Sequence, residues 1–264
     1  MNHSSFTMSE SARHWGALWG DRPHAWARNE EQQTPVYEQA LESVGLERGD
    51  AVLDVGCGTG VFLRLCADRG ADVTGIDASE RLLEIASDRL PEADLRLGDL
   101  QTLPFADDAF DLVTGFTSFF FAEDMVAALR EAGRVARPGA PVVIQLFGRP
   151  QHCDLEAMKA AVAAFRGEDH RSYWRPGIGE ELATQAGLTV EHAFDCTWAY
   201  AYPDSDSLVE HMLSAGGAGY IAGPAREGEM REAIRAALAH CRQADGSYRV
   251  TNEWHVIVAR GSRS

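Results

Sequence analysis

The sequence predicts an α/β fold: a doubly wound, mostly parallel sheet with helices on both faces. Short apolar segments alternate with helical segments between residues 51 and 147, which is the pattern of repeated strand–helix units. The first strand, 51–55, runs directly into a glycine-rich turn at 56–60. An acidic residue follows each of the next two strands, so the pattern also marks the carboxyl edge of the sheet as a ligand site.

The elements of the first half follow in order. An amphipathic helix over 36–44 precedes the strand 51–55, and the helix that begins near Val61 closes at Gly70. The remaining elements alternate in the same way, with Ser79 and Asp124 as predicted N-caps. They are a strand over 71–77, a helix over 79–90, strands over 93–100 and 109–116, a helix over 124–136 and a strand over 141–147.

The second half gives weaker signals. Helical spacing occurs over 155–165, 180–186 and 227–242, and a strand is predicted over 189–200. The stretch 204–223 opens with a short helix capped by Asp204 and then loosens into glycines. We interpret 148–187 and 198–226 as insertions over the strand ends.

Composition restricts the function classes. The formal net charge is −16, and Lys159 is the only lysine, which disfavours nucleic acids and anionic membranes as partners. No apolar run approaches the roughly 20 residues of a membrane helix, and no secretion signal is apparent. Five cysteines without a Cys-x-x-Cys pair fit reduced thiols in the cytoplasm.

The strand exits carry the candidate binding residues. The glycine spacing is G-x-G-x-G rather than the G-x-G-x-x-G of nicotinamide sites, and Asp54 precedes the first glycine. A carboxylate there suits a ligand that carries an ammonium group. Asp77 at the second exit is placed to accept hydrogen bonds from ribose hydroxyls, and Asp99 at the third is placed to accept one from an exocyclic amino group.

Four motifs resemble those of class I S-adenosylmethionine-dependent methyltransferases, in the small-molecule group similar to ubiquinone/menaquinone biosynthesis methyltransferases. They are DVGCGTG, GIDAS, GDLQTLPFADDAFD and LREAGRVARPGAPVVI, and they lie within residues 35–148. The resemblance implies a Rossmann-like α/β/α sandwich with lid insertions, whose antiparallel last strand is EWHVIVAR. It divides the chain into an N-terminal arm or lid (1–34), a cofactor-binding core (35–148), insertions that shape the substrate pocket (149–226), and the final helix and strand of the core (227–264).

The resemblance also implies roles for individual residues around S-adenosylmethionine. The amino-acid part of the cofactor would be held by Asp54, Gly56, Cys57, Gly58 and Gly60. Asp77 would bind the ribose and Ala78 would line the adenine. Asp99 and Leu100 would hold the adenine amino group and ring, and Phe116 and Thr117 would lie beside the sulfonium or the methionine chain.

These residues indicate methyl transfer to an O or N atom of a small, aromatic or apolar metabolite. His152 and His211 are the first candidates for a catalytic base, with His14 and His170 as further ones. Trp15, Trp19 and Trp26 either pack the arm onto the core or cover a ligand. No cluster of metal-ligating residues at ligand spacing is seen, so no metal is expected.

Three alternatives stay open at this point. A quinone-type C-methyltransferase would use the same fold, and a sensor would bind the cofactor without turnover. A nicotinamide dehydrogenase is disfavoured by the glycine spacing and by Asp99. The chain is expected to be a monomer or a homodimer.

Overall fold

The computed structural model describes residues 8–170, 172 and 174–261 and contains one seven-stranded sheet. The strands are β1 (Ala51–Val55), β2 (Asp72–Asp77), β3 (Asp94–Leu97), β4 (Leu112–Phe116), β5 (Pro141–Phe147), β6 (Leu188–Tyr202) and β7 (Tyr248–Gly261). Their order across the sheet is β3-β2-β1-β4-β5-β7-β6. Strands β1 to β5 pair in parallel, and β7 is antiparallel to both β5 and β6. The predicted fold class is confirmed.

The centre of the sheet lies at β1, between β2 and β4. Val52, Leu53 and Val55 are fully buried, as expected for a strand that helices cover on both faces. The chain moves outward from β1 to β3 and then returns to β4 on the other side. This reversal opens a crevice at the carboxyl ends of β1 and β4.

Ten helices surround the sheet in the described part of the chain. They are α1 (Glu10–Trp19), α2 (Pro23–Glu31), α3 (Thr34–Val44), α4 (Val61–Asp68), α5 (Glu80–Arg89), α6 (Met125–Val135), α7 (Leu155–Phe165), α8 (Ile178–Gln185), α9 (Ser205–Ser214) and α10 (Ala218–Ala237). The predicted caps Ser79, Asp124 and Asp204 each accept a hydrogen bond from a first-turn N–H. Among the described residues, no helix is long and apolar enough to cross a membrane.

The glycine-containing stretch after α9 is helical, which differs from the sequence expectation. A 3₁₀ turn at Ala215–Gly217 leads into α10, which begins at Ala218 rather than at 227. Gly216 and Gly217 have φ of 59° and 71°, and Gly223 (φ 64°, ψ 168°) interrupts α10. Glycine adopts these conformations readily, so here the glycines join short helical pieces.

A long hairpin completes the sheet. Strand β6 pairs with β7 over its whole length, with a bulge between Val190 and His192, whereas β5 pairs only with the second half of β7. Strand β6 and helix α8, which packs against it, both fall within the segment 149–226. Residues 178–202 are therefore part of the sheet layer and the helix packed on it, and are not an insertion over the strand ends.

Candidate functional site

The glycine turn after β1 is shaped by close packing. The N–H groups of Gly56 and Cys57 both donate to the carbonyl of Ile76, at 2.7 and 3.1 Å. Gly56 has a φ of 81°, and a Cβ atom there would clash with Ser118. Gly60 has a φ of 77° and precedes α4. A Cβ atom on Gly60 would lie 3.2 Å from Leu90 and 3.3 Å from Ala86, so the lack of a side chain lets the turn approach α5 closely.

The Asp77 carboxylate is held at the end of β2 by backbone donors. Its Oδ2 accepts from Gly58 N at 2.9 Å, and its Oδ1 accepts from Ser79 N at 2.8 Å. Each oxygen keeps a second lone pair for another donor. Burial raises the pKa of Asp77, although these backbone hydrogen bonds oppose the shift.

Asp54 lies beneath the turn, almost wholly out of contact with solvent. Its Oδ1 accepts from Thr114 Oγ1 at 2.7 Å. Burial raises the pKa of Asp54 to about 8; the Thr114 hydrogen bond opposes this, and the nearby Glu30 and Asp77 carboxyls add to it. A cation beside this carboxyl would restore its charge.

Asp99 is buried at the exit of β3 and is already hydrogen-bonded to the backbone. Its Oδ1 accepts from Gln101 N at 2.9 Å, and its Oδ2 accepts from Ser9 N at 3.2 Å. Ser9 caps α1, so this carboxylate also connects the arm to the core.

The exit of β4 combines an aromatic side chain with a strained residue. Phe116 contacts Tyr37 and Phe62, with ring centroids 4.6 Å apart in each case. Thr117 has a φ of 52°, a conformation that costs about 1–3 kcal/mol for a non-glycine residue and often marks a functional site.

One cleft at the carboxyl edge joins these strand exits, and ten of the eleven predicted cofactor residues line it. They are Asp54, Gly56, Cys57, Gly58, Asp77, Ala78, Asp99, Leu100, Phe116 and Thr117. Gly60 does not line the cleft, because it lies at the far end of the glycine turn, where α4 begins.

The arm forms the opposite wall of the cleft. Trp15, Trp19 and Trp26 all line it, together with Phe121. The Trp15–Phe121 and Trp19–Trp26 centroids are each 4.6 Å apart. These tryptophans therefore pack the arm onto the core and also line the cleft; that they cover a ligand there stays a prediction.

Sequence reasoning missed three polar residues of this wall: Glu30, Gln33 and Tyr37. Together with Trp26 they recur at spacings of four, three and four, a helical periodicity that marks one face. This signal was available, but the charged context NEEQQ reads as a solvated surface.

Glu30 and Gln33 are both buried. Glu30 Oε2 accepts from the N–H and hydroxyl of Thr59, at 2.9 and 2.8 Å. Burial raises the pKa of Glu30 to about 7, although the bonds from Thr59 oppose the shift. The Gln33 Oε1 atom has no hydrogen-bond partner within the described chain, so it remains free to accept from a ligand.

The two candidate catalytic histidines lie away from the cleft. His152 Nδ1 is 2.7 Å from Glu253 Oε2, and this contact, after that of Arg149, helps to lower the pKa of Glu253 to about 2. His211 Nδ1 is 2.6 Å from the carbonyl of Ser207. His14 and His170 do not line the cleft either. His152 and His211 thus have hydrogen-bond partners outside the cleft.

A cluster of potential metal ligands does exist, contrary to the sequence expectation. Asp154, His240 and Cys241 bring one ligand atom each to within 4.8 Å of one another. Asp154 is separated from the other two by more than 80 residues, and only folding joins them. None of the three lines the cleft.

Two features of the structure define the class of protein. The first is the strand order with an antiparallel β7, and the second is the set of carboxylates at three strand exits around a glycine turn. Together they define a Rossmann-like enzyme of the S-adenosylmethionine-dependent class. The comparisons agree: a family model described as a methyltransferase domain matches residues 53–144. A demethylmenaquinone methyltransferase of Renibacterium salmoninarum is 38% identical over 176 residues, which is 67% of this chain and 70% of the relative. The chain belongs to the class I S-adenosylmethionine-dependent methyltransferases.

Other similar proteins differ in the substrates that their names give. The 27-O-demethylrifamycin SV methyltransferase of Amycolatopsis mediterranei is 31% identical over 224 residues, covering 74% of this chain and 79% of the relative. Among solved structures, the YcgJ protein of Bacillus subtilis superposes with a TM-score of 0.60 at 18% identity, covering 86% of this chain and 98% of that one. This last likeness concerns the fold alone.

Proposed function

We propose that this methyltransferase transfers a methyl group to an O or N atom of a small, aromatic or apolar metabolite bound in the cleft. One observation carries the proposal: the residues predicted to hold the cofactor and the aromatic face of the arm line the same cleft. A flat apolar acceptor can stack on such a wall.

The residues of the cleft fit S-adenosylmethionine in charge and in hydrogen bonding. Asp77 offers two oxygens with free lone pairs to a pair of ribose hydroxyls. Asp54 and Glu30 lie together near the glycine turn, where they would accept from the ammonium of the methionine part. Asp99 and Leu100 would contact the adenine, and Ala78 would line it.

When bound, the cofactor supplies a methyl group that its sulfonium has already activated. What remains for the protein is positioning, because alignment for in-line displacement accounts for much of the barrier reduction. Phe116 and Thr117 would fix one side of the reacting centre. Trp15 and Trp26 on the arm would hold the acceptor opposite and exclude water.

The first test is calorimetric titration of ligand-free protein with S-adenosylmethionine and S-adenosylhomocysteine, followed by turnover with a panel of phenols, amines and quinols. We expect both cofactor forms to bind and at least one acceptor to gain a methyl group. Binding without formation of S-adenosylhomocysteine from any acceptor would favour a non-catalytic cofactor-binding protein. Absence of binding would overturn the proposal.

A second candidate is C-methylation of a quinol, favoured by the 38% identity to a protein named a demethylmenaquinone methyltransferase. Mass spectrometry and NMR of the product separate the two candidates, because an O-, N- or C-bound methyl group has its own carbon shift. A methyl group on ring carbon would replace the first proposal with the second.

A further inference from the structure

Three side chains with metal-binding atoms converge outside the cleft. Asp154 lies just before α7, and His240 and Cys241 form part of the 3₁₀ turn Ala239–Cys241 after α10. His240 Nε2 is 3.0 Å from Asp154 Oδ1 and 3.4 Å from Cys241 Sγ. Carboxylate oxygen, imidazole nitrogen and thiolate sulfur are the three ligand types that zinc takes in proteins.

The two separations that involve His240 Nε2 are close to those of tetrahedral coordination, and all three ligand atoms lie within 4.8 Å of one another. With metal–nitrogen and metal–oxygen bonds of about 2.0 Å and a metal–sulfur bond of about 2.3 Å, tetrahedral angles place N and O roughly 3.3 Å apart and N and S roughly 3.5 Å apart. The observed distances of 3.0 and 3.4 Å need only small adjustments of the side chains to reach these values.

The two ring nitrogens of His240 have different neighbours. Nδ1 is 3.1 Å from the carbonyl of Ala237, which can only accept, so Nδ1 is the donor in this contact. Nε2 faces Asp154 Oδ1, and a metal ion between them would be bound by both atoms.

Contacts behind the cluster hold two of the three ligands, Asp154 and His240, in place. Asp154 Oδ2 accepts from Thr251 N at 2.7 Å, which leaves Oδ1 directed at the histidine. The bond from His240 Nδ1 to Ala237 fixes the ring orientation. Outer contacts of this kind are typical of metal ligands, because they set the tautomer and the direction of the lone pair.

We propose that Asp154, His240 and Cys241 bind one transition-metal ion, with Zn²⁺ as the best match. Mg²⁺ and Ca²⁺ are disfavoured because they take oxygen ligands. His240 is half-exposed, so an ion can enter and water can supply the fourth ligand. As the metal–sulfur bond forms, the Cys241 thiol releases its proton to solvent.

The site would be structural. It would connect the start of α7 and the end of α10, and through Thr251 the strand β7. None of its residues lines the cleft, so the inference does not depend on the proposed function, and its test does not measure activity.

The test uses the full chain, stripped with a chelator and kept reduced, and titrated with Co²⁺ and then with Zn²⁺. Absorption from a thiolate–cobalt bond reports the cysteine ligand, and calorimetry reports the stoichiometry. We expect one ion per chain, loss of the thiolate band in Cys241→Ser, and weakening by about tenfold or more in His240→Ala. Cys196→Ser and His24→Ala are the matched controls, and we expect both to bind as the wild type does.

A second measurement keeps the test independent of folding defects in the cysteine variant. Zn²⁺ should raise the unfolding temperature of the wild type and leave that of His240→Ala unchanged, because an ion that binds only the folded state stabilises it. The proposal is overturned if the wild type shows no thiolate band, if the band persists in Cys241→Ser, or if both unfolding temperatures respond alike.

Discussion

At the scale of single residues, the cleft is defined by buried carboxyl groups. Glu30, Asp54, Asp77 and Asp99 are each less than a tenth exposed. Burial raises the pKa of Glu30 to about 7 and that of Asp54 to about 8. Near neutral pH the ligand-free cleft therefore retains protons that a cationic ligand would displace.

We expect the affinity for S-adenosylmethionine to rise with pH until the pH reaches about 7 to 8, where Glu30 and Asp54 lose their protons in the ligand-free protein. The rise should be up to roughly tenfold per pH unit for each proton released. The sign follows from the raised pKa values of Glu30 and Asp54: protons must leave before the carboxylates can pair with the cation. Calorimetry at several pH values measures this slope, and Asp54→Asn should reduce it. A dissociation constant that does not change with pH would contradict the expectation.

Glu30→Gln tests whether the arm contributes charge to the cofactor site. Glutamine keeps an acceptor for Thr59, which Glu30 now bonds, but it lacks the negative charge. We expect affinity for S-adenosylmethionine to fall by about 1–3 kcal/mol while the unfolding temperature holds or rises, because a buried ionisable group is removed. Glu38→Gln, an exposed position on α3, is the control; equal affinity in both variants would exclude Glu30 from the site.

The strand-exit residues could be predicted from sequence, whereas helical spacing placed Glu30 and Gln33 on one face without indicating what that face contacts. The positions of Asp54 and Asp77 could be predicted because each lies at or near the end of a strand. The sequence shows where a strand ends, since an apolar run is followed directly by a turn. The position of Glu30 depends on how α2 docks against residues near Thr59, 29 positions away. A polar run such as NEEQQ carries no local sign of that docking.

At the scale of elements, α1 docks onto the core through two glycines one turn apart. A Cβ on Gly16 would clash with the carbonyl of Ala78, and one on Gly20 would lie 2.5 Å from Ser79 Oγ. The helix therefore approaches the exit of β2 more closely than a side chain allows. This contact sets how the arm covers the cleft.

Gly16→Val should displace α1 and open the cleft. We expect weaker binding of S-adenosylmethionine and faster proteolysis within the arm, with the core still folded, because the clash involves backbone that cannot move aside. Ala17→Val changes an exposed neighbour on the same helix and controls for the lower helix propensity of valine. If both variants bind the cofactor equally, the close approach at Gly16 is not needed for binding.

At the scale of elements, prediction from sequence succeeded for the helices of the first half but not for the start of α10. Amphipathic helices and caps between residues 36 and 136 were predicted because their apolar spacing is continuous and local. The start of α10 was not, because Gly216, Gly217 and Gly223 interrupt its periodicity. Contacts with α9 and α7 stabilise those short pieces, and such contacts leave no periodic trace in the sequence.

At the scale of the whole molecule, the arm is fastened to the second half of the chain. Arg22 pairs with Glu210 on α9 and Glu227 on α10, at 2.9 and 2.6 Å. The hydroxyl of Tyr202, at the end of β6, donates to Asn29 Oδ1 at 2.7 Å in a buried position. The cleft is thus closed by parts of the chain that are about 170 to 200 residues apart.

Because so much of the fold meets at the cleft, we expect ligand binding to stabilise the entire chain. At a concentration one hundred times its dissociation constant, S-adenosylhomocysteine should add about 2.7 kcal/mol to the free energy of unfolding, or roughly 5–10 °C in the unfolding temperature. Thermal unfolding monitored by circular dichroism measures this shift. Asp77→Ala should lose most of it at the same ligand concentration, and an unchanged shift in that variant would argue against a role for Asp77.

The position of β7 has a consequence for how the protein is made. Strand β6 has β7 as its sheet partner, and β7 lies between β5 and β6. A chain that leaves the ribosome from its N-terminus completes β1 to β5 early, and then exposes the fifteen residues of β6 with an unpaired edge until β7 emerges some 45 residues later. During that interval β6 is not yet paired in the sheet, so Tyr202 at its end is not held in position to donate its hydrogen bond to Asn29. This contact between the arm and the second half of the chain therefore forms only when the last strand of the sheet arrives, although the arm and the strand exits that line the cleft are translated first.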